Sequence, residues 1–349
     1  LAFFASLREI FSRKTGDKMA ARISIIGDGG WGTALALLLL ENGHHVTVWG
    51  PFPDYIKTIQ HRRENELYLP GIKLPAELNW TADREAATEK ADVVVLAVPT
   101  KFMRPVLTSF AGAIPASCRV VSVAKGLDQQ TRKRMTQLAE EIIGHSPVAA
   151  LSGPSHAEEV SRRIPTAVCV ASSDKEHSRI LQSIFSNSRF RVYTSDDVAG
   201  VELGGALKNI VAVGVGISDG IGFGDNTRAA LITRGLVEIT RLGCALGAKQ
   251  ATFAGLSGLG DLIVTCTSRF SRNRGVGERL GQGETIDHIL SDMKQVAEGI
   301  WNCSVARELA HEKNVEIPIT EQVYAVIHNG KDPKDAVTSL MSRDLKAEG

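Results

Sequence analysis

Apolar positions along this chain fall into two rhythms. Up to about residue 195, short runs of β-branched and apolar residues alternate with longer amphipathic stretches. Arg22–Ile26 (RISII), His45–Trp49 (HVTVW), 92–98 (DVVVLAV), 119–124 (RVVSVA), 147–151 (PVAAL) and Thr166–Ala171 (TAVCVA) read as strands. Most lack polar alternation, the mark of strands buried on both faces of a parallel sheet between helical layers. Residues 33–40 carry a helical run closed by Glu41-Asn42-Gly43, a natural stop. Residues 19–195 are therefore predicted to form a doubly wound parallel α/β domain, with its binding site at the carboxyl ends of the strands. Over 196–349 the rhythm changes to long Ala/Gly/Leu/Ile segments at helical spacing, broken by glycine joints at 220–224, 255–260 and 281–283. This half is predicted to be an all-helical domain. In residues 1–18, Phe3, Phe4, Leu7, Ile10 and Phe11 follow helical spacing, and the basic residues come late, unlike a secretory signal. That stretch is read as an N-terminal extension, upstream of the true start and outside the fold.

Composition narrows the function classes. A length of 349 residues fits two domains at about 150 residues each. The 40 basic and 39 acidic side chains leave a net charge of +1, which lacks the basic excess a nucleic-acid binder uses. A hydrophobic content of 43% excludes disorder. No apolar run reads as the roughly 20 residues of a membrane span. Cys118, Cys169, Cys244, Cys266 and Cys303 are odd in number and widely spaced, giving neither a disulfide framework nor a metal site. The expectation is a soluble cytoplasmic protein without a metal.

Candidate chemistry begins directly after the first strand. Gly27, Gly29 and Gly32 fit the spacing G-x-G-x-x-G between a strand and a helix, with Gly30 and Trp31 between them. One glycine allows the tight turn, the second lets backbone N–H groups approach a pyrophosphate, and the third allows close helix packing. The pattern predicts a Rossmann-like fold that binds NAD or NADP. The acid that usually ends the second strand and reads the ribose is missing, because Trp49 is followed by Gly50-Pro51. NADP therefore stays open, with Arg62 or Arg63 as candidate cations or a solvated pair.

Two lysines stand out. Lys125 follows an apolar strand at the expected carboxyl edge of the sheet. Lys208 sits in a helical run with almost no other charge, flanked one turn away by Gly204, Gly205 and Ala212. Burial and a second cation lower a lysine pKa toward neutrality, which suits proton transfer to a ketone oxygen during hydride reduction. Asp261 is an acid in an apolar, glycine-hinged stretch, and Ser271, Arg272 and Asn273 form a compact donor set suited to a phosphate. Taken singly, these last two also fit a helix cap and a surface cluster.

Together these residues resemble the bacterial-type NAD(P)-dependent sn-glycerol-3-phosphate dehydrogenases from about residue 22 to the C-terminus. The matching segments are GDGGWGTALA (27–36), YLPGIKLP (68–75), AVPT (97–100), AKGL (124–127), LSGPSHAEEV (151–160), GGALKNIVAVGVGISDGIGFGDN (204–226), ALITRGL (230–236), GLGDLIVTCTS (258–268) and SRNR (271–274). The resemblance implies reversible reduction of dihydroxyacetone phosphate to sn-glycerol 3-phosphate for glycerophospholipid synthesis, by a homodimer. It implies Lys208 as proton donor and acceptor, Lys125 contacting cofactor and substrate, and Asp261 orienting the active lysine. Gly153 and Ser155 match substrate contacts, Ser271, Arg272 and Asn273 the phosphate end. Gly30, Trp31, Ala157, Arg272, Val296 and Glu298 match cofactor contacts. His156 reads as a structural residue. Pro51-Phe52 departs from the His or Arg that many relatives carry there, leaving NAD against NADP undecided. The alternatives are a reductase of ketopantoate or a 3-hydroxyacid, and a non-catalytic dinucleotide sensor. The first lacks the SRNR and GLGDLIVTCTS segments; the second has no reason to keep both lysines with Asp261.

Overall fold

The computed structural model describes residues 20–144, 147–293, 295–345 and 347, so the expected extension 1–18 lies outside the described residues. The first half runs β1 (Arg22–Ile26), α1 (Gly30–Glu41), β2 (His45–Trp49), α2 (Pro53–Arg62), β3 (Glu64–Asn65), β4 (Leu69–Lys73), β5 (Asn79–Thr81), α3 (Arg84–Thr88), β6 (Val93–Leu96), α4 (Thr100–Phe110), β7 (Arg119–Ser122), α5 (Met135–Ile143), β8 (Ala149–Ser152), α6 (Ala157–Val160), β9 (Thr166–Ala171), α7 (Lys175–Phe185) and β10 (Phe190–Ser195). One sheet has the order β10-β9-β8-β7-β6-β1-β2-β5, while β3 and β4 form a separate hairpin.

The apolar strands are double-faced as their composition requires. Ile23, Ile25, Val93 and Val95 feed a core shared with Leu35 and Leu39 of α1 and Leu181 and Phe185 of α7. Their neighbours Ile26, Val94 and Leu96 feed the opposite core, against Met103, Leu107 and Phe110 of α4 and Leu138 of α5. A strand whose successive residues enter two cores has no solvent face for polar alternation; the small hydroxyls Ser24 and Ser122 are themselves buried.

The sheet is not wholly parallel. β5 through β8 pair in parallel, as do β9 and β10, but β8 and β9 are antiparallel. The connection between those two holds only the four-residue α6, and it reverses the chain instead of crossing over as a parallel pair requires. Four further strands went unread. The β3–β4 hairpin contains Pro70 and Gly71, and β5 is three residues long. β10 alternates buried and exposed residues at the sheet edge, a signal visible in FRVYTS.

The second half is helical: α8 (Val198–Ile221), α9 (Asp225–Ala245), α10 (Gln250–Phe253), a π-helical turn (Leu256–Gly260), α11 (Asp261–Thr267), α12 (Arg272–Gly281), α13 (Ile286–Asp292), α14 (Glu298–Lys313), α15 (Pro318–Asn329) and α16 (Pro333–Met341). α8 is its axis, with every residue from Gly200 to Ser218 buried. By length and mean hydropathy (1.4) this helix is apolar enough to cross a membrane, a run the sequence reading overlooked; 83% of that window is buried inside the protein. It is the core around which the others pack.

Glycines let α12 lie against α8 backbone to backbone. A Cβ on Gly216 would sit 2.0 Å from the Arg274 carbonyl oxygen, and one on Gly277 2.1 Å from that of Val213. Gly216→Ala is therefore expected to lower stability by about 1–3 kcal/mol through overpacking. Gly275→Ala, whose Cβ would meet nothing within 4 Å, serves as the neutral control; urea denaturation of both variants checks the pair. A buried ion pair also ties the halves together. Glu202 of α8 accepts from Arg134 Nη1 (2.5 Å), Thr136 N (2.9 Å) and Thr136 Oγ1 (2.6 Å).

Candidate active site

A cleft opens where β1, β6, β7 and β8 end, facing α8, α11 and the first residues of α12 and α14. The chain runs outward from β1 through β2 to β5, then returns to β6 on the other side of β1. This is the switch point at which open α/β sheets bind ligands. Gly27 holds φ at +122°, and a side chain there would strike the Ala97 carbonyl at 2.7 Å. Gly32 stands close to the Gly27 carbonyl, where a Cβ would lie 2.2 Å away. These two glycines shape the turn from behind. Gly29 and Gly30 line the cleft, and the space above Gly29 is open to 4 Å. The start of α1 thus presents free N–H groups to that space, a cradle that fits a dinucleotide pyrophosphate. The hairpin steadies it, because Asn65 Nδ2 donates to the Asp28 carbonyl (2.7 Å) and to Thr33 Oγ1 (2.7 Å).

Across the cleft, both lysines converge on one carboxylate. Lys208 Nζ donates to Asp261 Oδ1 at 2.6 Å and to Thr265 Oγ1 at 2.5 Å. Lys125 Nζ donates to Asp261 Oδ2 and to the Gly153 carbonyl, both at 2.8 Å, with Ser155 Oγ at 3.5 Å. Asp261 is 1% exposed. Burial alone would raise its carboxyl, but the two ammonium groups outweigh this and hold it below the usual range. Burial pushes the Lys208 amine down to about 8; Asp261 opposes the shift and the Lys125 charge adds to it. One carboxylate bridging two ammonium groups leaves a net positive cluster beside an open cleft, suited to a ketone oxygen that gains charge.

The room beside Gly204 and Gly205 is taken by backbone and a neighbouring side chain. A Cβ on Gly204 would meet the Ser257 carbonyl at 2.6 Å, and one on Gly205 the Ser152 hydroxyl at 2.5 Å. Two contributors had no role assigned from the sequence: Thr265, one turn after Asp261 on the same helix, and Asn209, beside Lys208. Asn209 Nδ2 holds the Lys125 carbonyl at 3.2 Å. The i, i+4 spacing of Asp261 and Thr265 was the available signal for the first. The second needed the fold.

At the other end, Ser271, Arg272 and Asn273 line the cleft together. Ser271 Oγ caps α12 by accepting from Arg274 N at 3.2 Å. Asn273 donates to Asn209 Oδ1 (3.0 Å) and accepts from Gly299 N (2.9 Å), so its amide is engaged at both ends. Arg272 touches Gln295 Oε1 at 3.3 Å. Arg274, also within SRNR, pairs instead with the buried Asp219 at 2.8 Å. Trp31, Ala157, Val296 and Glu298 line the same cleft. Glu298 accepts from Thr100 N (2.9 Å) and from the Thr100 hydroxyl, closing that wall across the two halves. His156 lines the cleft with Nε2 buried and no hydrogen-bond partner among the described residues. Burial, helped by both lysine charges, pushes its ring down to about 4, so it is neutral at pH 7.

The family model for the N-terminus of NAD-dependent glycerol-3-phosphate dehydrogenase matches residues 22–178, and that for its C-terminus matches residues 197–338. The chain belongs to the NAD-dependent glycerol-3-phosphate dehydrogenase family. A glycerol-3-phosphate dehydrogenase [NAD(P)+] from Geobacillus kaustophilus is 53% identical over 93% of this chain and 96% of its own length. One from a Geobacter species is 48% identical over 95% and 100%. The solved glycerol-3-phosphate dehydrogenase from Coxiella burnetii is similar with a TM-score of 0.90 at 40% identity, covering 93% of this chain and all of that one. A ketopantoate reductase from Ralstonia eutropha shares the fold alone, with a TM-score of 0.60 at 16% identity. As a glycerol-3-phosphate dehydrogenase family member, the chain is an oxidoreductase that uses NAD or NADP.

Proposed function

We propose that this chain reduces dihydroxyacetone phosphate to sn-glycerol 3-phosphate, and the reverse, on the cleft described above. The observation that carries this reading is Lys208 and Lys125 held on one buried Asp261 between the glycine loop and Arg272. When bound, NADH or NADPH supplies the hydride to the ketone carbon. Lys208 gives the proton to the ketone oxygen and is recharged from solvent, while Asp261 and Thr265 aim its amine. Lys125 stabilises the oxygen as its charge grows. Arg272 and the Ser271 hydroxyl hold the phosphate, fixing the ketone in place before reaction. Asn273 holds Asn209 and the start of α14 in position. Residues 19–195 form the cofactor half in this reading, and 196–349 the substrate half. A homodimer in the cytoplasm, supplying glycerophospholipid synthesis, is carried by family resemblance; sedimentation of the purified chain tests the dimer.

Absorbance of NADH and NADPH is followed with dihydroxyacetone phosphate, with ketopantoate, and with neither. Oxidation with dihydroxyacetone phosphate alone is the expected outcome, and oxidation with ketopantoate alone overturns the reading.

The Lys208 amine sets a pH signature. Reduction needs the ammonium form, so its rate is expected to fall as pH rises through about 8, and glycerol 3-phosphate oxidation to rise across the same interval. Initial rates in both directions between pH 6 and 10 check this, provided both limbs shift together.

A further inference from the structure

The chain lacks an acid at the end of β2, yet an acid stands there. Gly50 follows β2, and an ideal Cβ on it would lie 2.6 Å from Asp28 Oδ2 and 2.7 Å from Asp28 Cγ. The carboxylate of Asp28, inside the glycine loop, shares with the Ile56 Cδ1 methyl (2.7 Å) the space where a side chain of residue 50 would begin. It is 7% exposed, and its Oδ2 has no hydrogen-bond partner among the described residues. A buried carboxylate oxygen without a donor is costly unless something supplies one.

We infer that Asp28 is the acid that reads the adenosine ribose: it accepts from the 2′-hydroxyl of NADH and repels the 2′-phosphate of NADPH. The assignment rests on the glycine loop holding the dinucleotide. Three observations support it. The carboxylate sits next to the strand end from which this acid normally projects. Its backbone carbonyl is fixed by Asn65, so the loop cannot swing it away without losing that bond (2.7 Å). Positions 51 and 52, Pro and Phe, add no cation to receive a 2′-phosphate, and the Arg62 guanidinium lies on Glu66 at 2.5 Å, which leaves Arg63 as the cation nearby. Burial raises the Asp28 carboxyl to about 6, still ionised at neutral pH.

Direct binding to the purified full chain tests this without turnover. Titration calorimetry at pH 7.5 compares NADH, NADPH and 2′-deoxy-NADH on the native protein and on Asp28→Asn. The native protein is expected to bind NADH about tenfold or more tighter than either of the others, the range of one charge-assisted hydrogen bond. Asp28→Asn is expected to narrow the NADH-to-NADPH gap by about tenfold, because the repulsion is removed. Should the variant fail to fold, the native comparison with 2′-deoxy-NADH decides alone. Equal binding of NADH and 2′-deoxy-NADH, or an unchanged gap in a folded variant, overturns the assignment. Binding of neither natural dinucleotide overturns it together with the cofactor reading on which it rests.

Discussion

Lys208→Ala is expected to lower turnover of dihydroxyacetone phosphate by about 10²- to 10⁴-fold, the worth of a positioned proton donor. NADH binding, followed by fluorescence, is expected to stay within about twofold of the native protein, because Lys208 lies across the cleft from the glycine loop. The same substitution leaves Asp261 paired with Lys125 (2.8 Å), so the site keeps a neutral ion pair and folds. Lys208→Arg sharpens the test. Its guanidinium retains the charge but does not release a proton near neutrality. If charge alone mattered, the arginine variant would work; it is expected to be as slow as alanine. Turnover of either variant at the native rate removes Lys208 from the proton path.

Asp261→Asn carries the second large effect, in the opposite electrostatic sense. It leaves two ammonium groups facing each other with their shared carboxylate gone. Breaking a buried ion pair in this way is expected to destabilise the fold by about 3–5 kcal/mol where both amines are charged. That loss shrinks as pH rises, since a lysine whose folded pKa is pushed down is stabilised only once it has shed its proton. The Asp261 carboxylate opposes the burial that pushes the Lys208 amine down to about 8, so the variant's reduction limb is expected to move to lower pH. Urea denaturation at pH 7 and 9, with the pH profile of the surviving activity, reads both. An unmoved limb in a folded protein would show that Asp261 does not govern the Lys208 proton.

Where the sequence was informative, a single local cause decided the structure. The apolar strands β1, β6 and β7 could be read because burial on both faces removes polar alternation. The glycine loop could be read because its spacing has few other uses between a strand and a helix. Lys208 was legible because a charge in the middle of a largely apolar helix demands a partner, and Asp261 and Thr265 are that partner. What escaped depended on distant pairing. The direction of β9 is set by a short connection from β8, not by its own residues. Asn209 and Asn273 look like ordinary helix amides until the fold joins them at 3.0 Å. Asp28 sits between two glycines of the loop, and only the folded chain brings its carboxylate into the space beside Gly50.

The glycine contact between α8 and α12 sets a gauge. Lys208 projects from one of these helices and Arg272 heads the other, so their spacing belongs to two interlocked backbones. With phosphate at Arg272 and ketone at Lys208, as proposed above, a phosphorylated ketone with an extra methylene between carbonyl and phosphate is expected to be a poorer substrate, because neither helix can slide along the other to admit it.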